Sequence, residues 1–110
     1  GSVSIEAPIL PSTLQQQGYG HAGLTFSIGD SAAGYSALTL LPENQEVMTA
    51  EIKINLLAPA EGELLIAEGK VVKSGKRLVV VTSKINALNN GQTKLIAIIQ
   101  GTMVTVQMKS

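Results

Sequence analysis

The stretch from residue 24 to residue 41 reads LTFSIGDSAAGYSALTLL, and it decides the fold of this chain. Its length and its alanine and leucine content predict a helix, and Pro42 is expected to end that helix because proline cannot continue one. The helix is apolar on nearly every side, which is typical of a helix that is buried all round. We therefore expect a sheet that wraps around it.

Patterns on either side of this helix predict the five strands of that sheet. Alternation over residues 3–7 indicates an edge strand, and further strands are predicted at 49–56, 63–73, 77–88 and 93–108. Asn89-Asn90-Gly91 is the strongest hairpin signal in the chain. The expected fold class is α+β, with one helix packed on a five-stranded antiparallel sheet. The alternation over 49–56 places polar and apolar side chains on opposite faces of the strand. The polar face carries Glu51, Lys53 and Asn55, and the apolar face carries Ala50, Ile52, Ile54 and Leu56.

The composition predicts one domain, spanning residues 1–110, that associates with itself. Hydrophobic residues make up 45% of the chain and charged residues only 15%, so the composition is more apolar than is usual for a small soluble protein. The longest apolar runs, such as 95–99, are far shorter than the roughly twenty residues that cross a bilayer. A large surface buried against another copy is therefore the better explanation, and no membrane partner is expected. Gly1 and Ser2 are interpreted as a remnant of a tag.

The same composition excludes several function classes. The formal net charge is zero and there are two tyrosines, one phenylalanine and no tryptophan, so neither the basic face nor the stacking rings of a nucleic-acid binder are present. The absence of cysteine excludes disulfides and thiolate catalysis, and a single histidine argues against a metal site. The start of the chain shows no secretory pattern, so a cytoplasmic location is expected.

Asp30 is the only formally charged side chain between Glu6 and Glu43. It lies about seven residues inside the predicted helix, which is too deep for a helix cap. An ionised carboxylate in a buried helix is unfavourable unless partners stabilise it, and no lysine or arginine lies nearby in sequence. An acid with a purely structural role is the alternative, but a buried acid within a helix is more typical of a functional site.

The segment before the helix, from Gln15 to Gly23, is rich in small residues and leads into the helix start. Backbone N–H groups are unpaired there and the helix dipole favours negative charge, so this segment could form an oxyanion hole. An ordinary glycine-rich loop is the alternative. His21 is open to two interpretations as well, a structural histidine or a general base.

The segment QQQGYGHAGLTFSIGDSAAGY, residues 15–35, resembles the PaaI-type acyl-CoA thioesterases of the hotdog superfamily. Their pattern is an Asn, then a His-Gly-Gly, then an Asp, and the spacing from His21 to Asp30 reproduces its second part. Residues 49–60 also look like the strand that follows in that family. The resemblance implies a hotdog fold, in which a five-stranded antiparallel sheet wraps around one long central helix.

The resemblance also implies a role for each matching residue. Asp30 would act as nucleophile or general base, the backbone N–H of Ala22 would polarise the thioester carbonyl, and Gln15 would bind the carbonyl or the attacking water. Thr49 would orient the nucleophile, and His21 belongs to the same motif. Ala22 and Gln15 depart from the family's usual glycine and asparagine. The implied substrate is an acyl- or aroyl-CoA, and no separate cofactor is needed because coenzyme A is part of the substrate.

The spacing of Ala22 and Asp30 predicts a dimer. Eight residues of helix separate groups by about 12 Å, whereas the groups that act on one carbon must lie within a few ångströms of it. Two antiparallel helices about a two-fold axis would bring Asp30 of one copy to Ala22 of the other. Small residues would allow either such helices or the enclosing sheet to approach closely: Gly23, Ser27, Gly34 and Ala37. A homodimer is expected, and the resemblance implies pairing of dimers into a homotetramer.

Two further groups of residues are candidates for binding the substrate. The pocket is expected around Tyr19, Gly23, Phe26 and Tyr35. The basic side chains of Lys73, Lys76 and Arg77 could meet the phosphates of coenzyme A, although a solvated turn explains them equally well. Other functions left open are a hotdog hydratase or dehydratase, a non-catalytic acyl-CoA binding module and a structural oligomer.

Overall fold

The computed structural model describes residues 1–9 and 22–107, which form one helix and one sheet. Five strands pair antiparallel in the order β1-β3-β4-β5-β2, and the helix packs across one face of this sheet. The predicted α+β class, with a five-stranded antiparallel sheet and one long helix, is confirmed. In chain order the elements are β1 (Ser2–Pro8), α1 (Ala22–Leu38), β2 (Gln45–Leu56), β3 (Leu64–Ser74), β4 (Leu78–Asn89) and β5 (Gln92–Gln107).

The helix begins and ends earlier than predicted. It starts at Ala22 rather than at residue 24, and its last residue is Leu38 rather than residue 41. The N–H groups of Leu40 and Leu41 donate to carbonyls three residues back, each at 3.1 Å, so the chain tightens into turns after Leu38. Pro42 then prevents any return to helix.

Strand β2 is longer than predicted and it is interrupted by a bulge. It begins at Gln45, and its register with β5 shifts between Thr49 and Glu51, which leaves Ala50 without a partner. The alternation predicted for this strand is therefore only partly correct. Ile52 and Ile54 do pack against the core, but Ala50 and Leu56 are exposed.

The hairpin predicted at Asn89-Asn90-Gly91 joins β4 to β5. Asn90 and Gly91 have positive φ angles of 52° and 78°, as a two-residue turn of type I′ requires. The turn fixes the pairing of Asn89 with Gln92, and so it helps to set the register of the two longest neighbouring strands.

Helix α1 is buried on one side only, so the prediction that it is buried all round is wrong for the single chain. Its buried side packs on the sheet in two clusters, one around Ile28 and Ala32 and one around Ala33 and Ala37. The opposite side is hereafter called the open face of α1. Its residues follow helical spacing and are exposed or half-buried: Gly23, Phe26, Ser27, Asp30, Ser31, Gly34, Tyr35 and Leu38.

Gly69 allows the helix backbone to lie directly against β3. A Cβ at this position would overlap the carbonyl oxygen of Ala32 and lie 2.8 Å from the backbone N of Ala33. We expect Gly69→Ala to lower the free energy of unfolding by about 3 kcal/mol, because backbone atoms cannot move aside as a side chain can. Urea unfolding followed by circular dichroism would measure this change.

Gly34→Ala is the matched control, since a Cβ at Gly34 would meet no heavy atom within 4 Å. Alanine should raise the stability there by about 0.5–1 kcal/mol, the usual gain over glycine inside a helix. Equal effects of the two substitutions would contradict the close contact between α1 and β3.

Across residues 1–9 and 22–107, no helix is long and apolar enough to cross a membrane. The same residues contain no group of three or more His, Cys, Asp or Glu side chains that could hold a metal ion. That the protein needs no metal ion for its function remains a prediction.

Candidate active site

Asp30 lies in the middle of the open face of α1, where it is half-buried. Its side chain borders a depression of about 240 Å³ between the helix and the inner face of the sheet. Among the described residues that line this depression, Asp30 is the only charged one. The full lining is Asp30, Ser31, Gly34, Tyr35, Leu38, Val47, Thr49 and Met103.

The side chain of Thr49 approaches Asp30 from strand β2. Its hydroxyl donates a hydrogen bond to Oδ1 of Asp30 at 3.1 Å, and the sulfur of Met103 lies 3.3 Å from the hydroxyl oxygen of Thr49. A hydroxyl has one proton to donate, and a carboxylate oxygen is a much better acceptor than a thioether. Thr49 therefore holds one carboxylate oxygen of Asp30, and the other oxygen can meet a proton or an electrophile.

The depression has a polar end and an apolar end. Asp30, Ser31 and Thr49 bring oxygen atoms together at one end. Leu38, two helical turns beyond Asp30, and Val47, two residues before Thr49, supply apolar surface at the other end, and the ring of Tyr35 is 58% exposed. Met103 contacts Thr49 between the two ends. A ligand with a reactive polar group and an apolar tail matches this arrangement.

Ala22 is the first residue of α1, so its N–H is one of the groups at a helix start that have no partner within the helix. It lies eight residues before Asp30 in the same helix, about 12 Å along the axis. The two groups therefore cannot act on one carbon within a single chain. Gln15, Tyr19 and His21 lie outside the described residues, and their predicted roles remain predictions.

The remaining predicted binding residues lie outside the depression in the single chain. Gly23 and Phe26 lie on the open face of α1, and of the three predicted pocket residues that the structure describes, Tyr35 alone lines the depression. The three basic residues, Lys73, Lys76 and Arg77, are exposed at the turn between β3 and β4.

That turn nevertheless lies beside the strands that form the depression. Thr105 of β5 donates its N–H to the carbonyl of Arg77 at 2.9 Å and its hydroxyl to the carbonyl of Lys76 at 3.2 Å. Thr105 is in turn the partner of Val47, which lines the apolar end. The turn that carries Lys76 and Arg77, hereafter the basic turn, is therefore bonded to β5, and β5 is the neighbour of the strand that carries Val47.

Several lining residues were not identified from the sequence. Gly34 and Leu38 follow Asp30 at intervals of four residues, and this helical spacing would have identified them. Val47 lies two residues before Thr49, and strand spacing would have identified it once β2 was known to begin at Gln45. Met103 could not be found in this way, because it reaches the site through the pairing of β2 with β5, which puts it opposite Thr49.

The family model of the thioesterase superfamily matches residues 17–94, which include Asp30, Thr49 and the strands that surround them. A thioesterase family protein from Silicibacter pomeroyi has a similar structure, with a TM-score of 0.95 and 37% sequence identity. The superposition covers 97% of this chain and 79% of that one. A Bacillus halodurans protein whose structure was solved with CoA has a TM-score of 0.86 and 26% identity, over 96% of this chain and 68% of that one.

A protein of Saccharolobus solfataricus that is provisionally named an esterase is 43% identical over 61 residues. That match covers 56% of this chain but only 40% of the relative, so the chain aligns with less than half of that protein's length. The structural neighbours share the hotdog arrangement of a sheet and a single helix described above, which confirms the predicted fold. On the family model and on the 37% identity to the Silicibacter protein, the chain belongs to the thioesterase superfamily.

Proposed function

We propose that this protein hydrolyses the thioester bond of an acyl- or aroyl-CoA and that Asp30 is its catalytic carboxylate. The observation that carries the proposal is the hydrogen bond of 3.1 Å from Thr49 to Asp30 at the polar end of the depression. It leaves an oriented carboxylate beside an apolar surface, in a chain of the thioesterase superfamily. The relative from Bacillus halodurans that holds CoA supports CoA as the carrier of the acyl group.

In the proposed reaction the thioester carbonyl lies at the polar end of the depression. Either Asp30 takes a proton from water, whose oxygen then attacks the carbonyl carbon, or the carboxylate attacks first and water cleaves the resulting anhydride. In both routes the C–S bond breaks, the sulfur leaves as a thiol after gaining a proton, and the acyl group leaves as a carboxylic acid. The N–H of Ala22 stabilises the negative charge that develops on the carbonyl oxygen.

The site proposed here takes Asp30 from one chain and Ala22 from its partner in a homodimer. The separation of about 12 Å within one helix supports this arrangement. The open face of α1 offers the surface on which a second helix could lie, with glycine at 23 beside empty space. Strand β2 is a sheet edge of 12 residues with Met48 63% exposed, and such an edge can pair with another chain. Further pairing into a tetramer and a cytoplasmic location remain part of the proposal.

The basic turn is proposed to bind the phosphates of CoA. Lys73, Lys76 and Arg77 are exposed there, and the turn is hydrogen-bonded to Thr105 beside the apolar end. Lysine and arginine are the usual partners of phosphate groups. The PaaI-type subtype is proposed on the motif of residues 15–35. In that motif Gln15 would bind the carbonyl or the attacking water.

The test is a screen of the purified protein against short, medium, long and aromatic acyl-CoAs, with release of the free thiol measured by a thiol-reactive dye. Hydrolysis of at least one class is expected. Binding of acyl-CoA without release of thiol would contradict the proposal and favour a non-catalytic binding module. Hydration of an enoyl-CoA without hydrolysis would favour the hydratase alternative.

Thr49→Val is expected to lower kcat about tenfold, because the valine cannot donate the hydrogen bond that orients Asp30. Thr49→Ser keeps a hydroxyl and should retain most of the activity. Thr102→Val is the matched control, since the Thr102 hydroxyl donates to a different carboxylate, that of Glu51, at 3.0 Å. Steady-state kinetics of the three variants would contradict the role of Thr49 if Thr102→Val were as damaging as Thr49→Val.

A further inference from the structure

Gly34 occupies the middle of the depression, one helical turn after Asp30 and one turn before Leu38. A Cβ at Gly34 would meet no heavy atom within 4 Å. Glycine inside a helix is unfavourable compared with alanine, so the packing of this chain gives no reason for a glycine at this position. The empty space above Gly34 is therefore available to something that lies against the helix backbone.

The polarity of the depression indicates what that occupant is. Beyond Gly34 the lining is formed by Leu38, Val47 and the ring of Tyr35. The pantetheine arm of CoA contains two amides, and these would lose their hydrogen bonds to water against such a surface. An acyl chain or an aromatic ring loses nothing there and removes apolar surface from water.

We infer that the apolar end of the depression holds the acyl group of the substrate and that Gly34 sets its permitted size. This inference rests on the proposed function. The carbonyl lies at Asp30 and Thr49, and the acyl group runs over Gly34 toward Leu38, about 12 Å along the helix from Asp30.

The volume of the depression limits the class of acyl group. Ligand pockets commonly measure about 300–1,000 Å³, and the depression, at about 240 Å³, is smaller than these. This corresponds to a medium-length acyl group or a single aromatic ring rather than to a long fatty acyl chain. Hexanoyl-CoA and benzoyl-CoA are the probes of the expected size, acetyl-CoA is smaller and palmitoyl-CoA is much larger.

The test compares kcat/KM for these four thioesters in the wild-type protein and in Gly34→Leu. Wild type is expected to prefer hexanoyl- or benzoyl-CoA to palmitoyl-CoA. Gly34→Leu should lower the ratio of kcat/KM for hexanoyl-CoA to that for acetyl-CoA at least about tenfold, because its side chain fills the space that the longer chain needs. Hydrolysis of acetyl-CoA should remain within about threefold of wild type.

Leu38→Ala is the reciprocal variant, and it guards against a Gly34→Leu protein that fails to fold. Shortening the side chain at the far end should raise the ratio of kcat/KM for decanoyl-CoA to that for hexanoyl-CoA by about tenfold. A gain of activity on a longer chain cannot come from misfolding. Gln92→Leu is the matched control, because it adds the same side chain at an exposed position at the start of β5, outside the depression, and should leave both ratios unchanged.

Four results would overturn the inference and leave the proposed hydrolase intact. They are equal use of palmitoyl- and hexanoyl-CoA by wild type, an equal loss on all four thioesters in Gly34→Leu, the same ratio change in Gln92→Leu, and dissociation of the Gly34→Leu dimer in light scattering. The last would show that the space above Gly34 holds the partner helix. A wild-type protein that hydrolyses none of the thioesters would overturn the proposed function, and this inference with it.

Discussion

Asp30→Asn is expected to lower kcat for thioester hydrolysis by about 10²–10⁴-fold, the range lost when a general acid or base is removed. Asparagine has nearly the same shape as aspartate and can still accept the hydrogen bond from the Thr49 hydroxyl, which now measures 3.1 Å. It lacks the negative charge that would attack the carbonyl or remove a proton from water. The variant therefore tests the chemistry of the carboxylate and leaves its surroundings in place.

Glu51→Gln is the matched control for this substitution. Glu51 is also a carboxylate that accepts a hydrogen bond from a threonine, Thr102, at 3.0 Å, but it is exposed on β2 outside the depression. The same change from acid to amide should leave kcat within about twofold of wild type, as for most surface substitutions.

Melting temperatures and light scattering would show whether both variants keep the fold and the assembly of wild type. Because Asp30 lies half-buried at the edge of the depression rather than within the core, we expect the Asp30→Asn dimer to persist. Full turnover by Asp30→Asn on every acyl-CoA that wild type hydrolyses would contradict the assignment of Asp30. A loss that accompanies unfolding would instead indicate a structural acid.

The five strands could be predicted because each has a clear hydrophobic alternation or a specific turn signal, and the helix could be predicted from its length, its alanine and leucine content and the proline that follows it. The type I′ turn at Asn90 and Gly91 is one such turn signal. The start of β2 at Gln45 was missed because the bulge at Ala50 breaks the alternation that the prediction followed. A single unpaired residue reverses the side-chain pattern on one side of it, so the pattern before Thr49 no longer matches the pattern after it.

The open face of α1 could not be predicted, because the residues on its two sides have similar character. Phe26 is 37% exposed whereas Ile28 is 8% exposed, although both are large and apolar. Neighbouring small residues such as Gly29 and Gly34 likewise face opposite environments: a Cβ at Gly29 would collide with Ile99, and one at Gly34 would meet empty space. The two sides of the helix differ only in which of them packs on the sheet, and that depends on how the helix lies across the strands.

The candidate site was predictable only where its residues share one element. Asp30 stands out as a single charge in an apolar helix, and Gly34 lies one turn from it. The partnership of Asp30 with Thr49 followed from resemblance to a family rather than from any local pattern. Met103 is distant in sequence from both, and it reaches the depression through its pairing with Thr49.

A heterodimer that contains one Asp30→Asn chain and one Ala22→Pro chain is expected to have about half of the wild-type activity, although each variant alone is nearly inactive. Proline removes the N–H of Ala22, and it is tolerated at the first residue of a helix, where Ala22 lies. The loss of one donor to the developing oxyanion should lower kcat about 10²–10³-fold.

The recovery of activity follows from the composite site. In the heterodimer one site combines both substitutions and is inactive. The other site takes Asp30 from the Ala22→Pro chain and Ala22 from the Asp30→Asn chain, and both of these residues are unchanged. The heterodimer can be isolated through two different affinity tags, and its kcat per dimer is then compared with that of wild type carrying the same tags.

Placing both substitutions in one chain reverses the expectation. When a chain with Asp30→Asn and Ala22→Pro pairs with a wild-type chain, each composite site contains one defective residue, so the heterodimer should be nearly inactive. If each chain formed its own site, this second heterodimer would keep about half of the activity and the first would have almost none. The separation of about 12 Å along α1 is the physical reason to expect the first pattern, and the two heterodimers measure directly whether the Asp30 carboxylate works against Ala22 of the neighbouring chain.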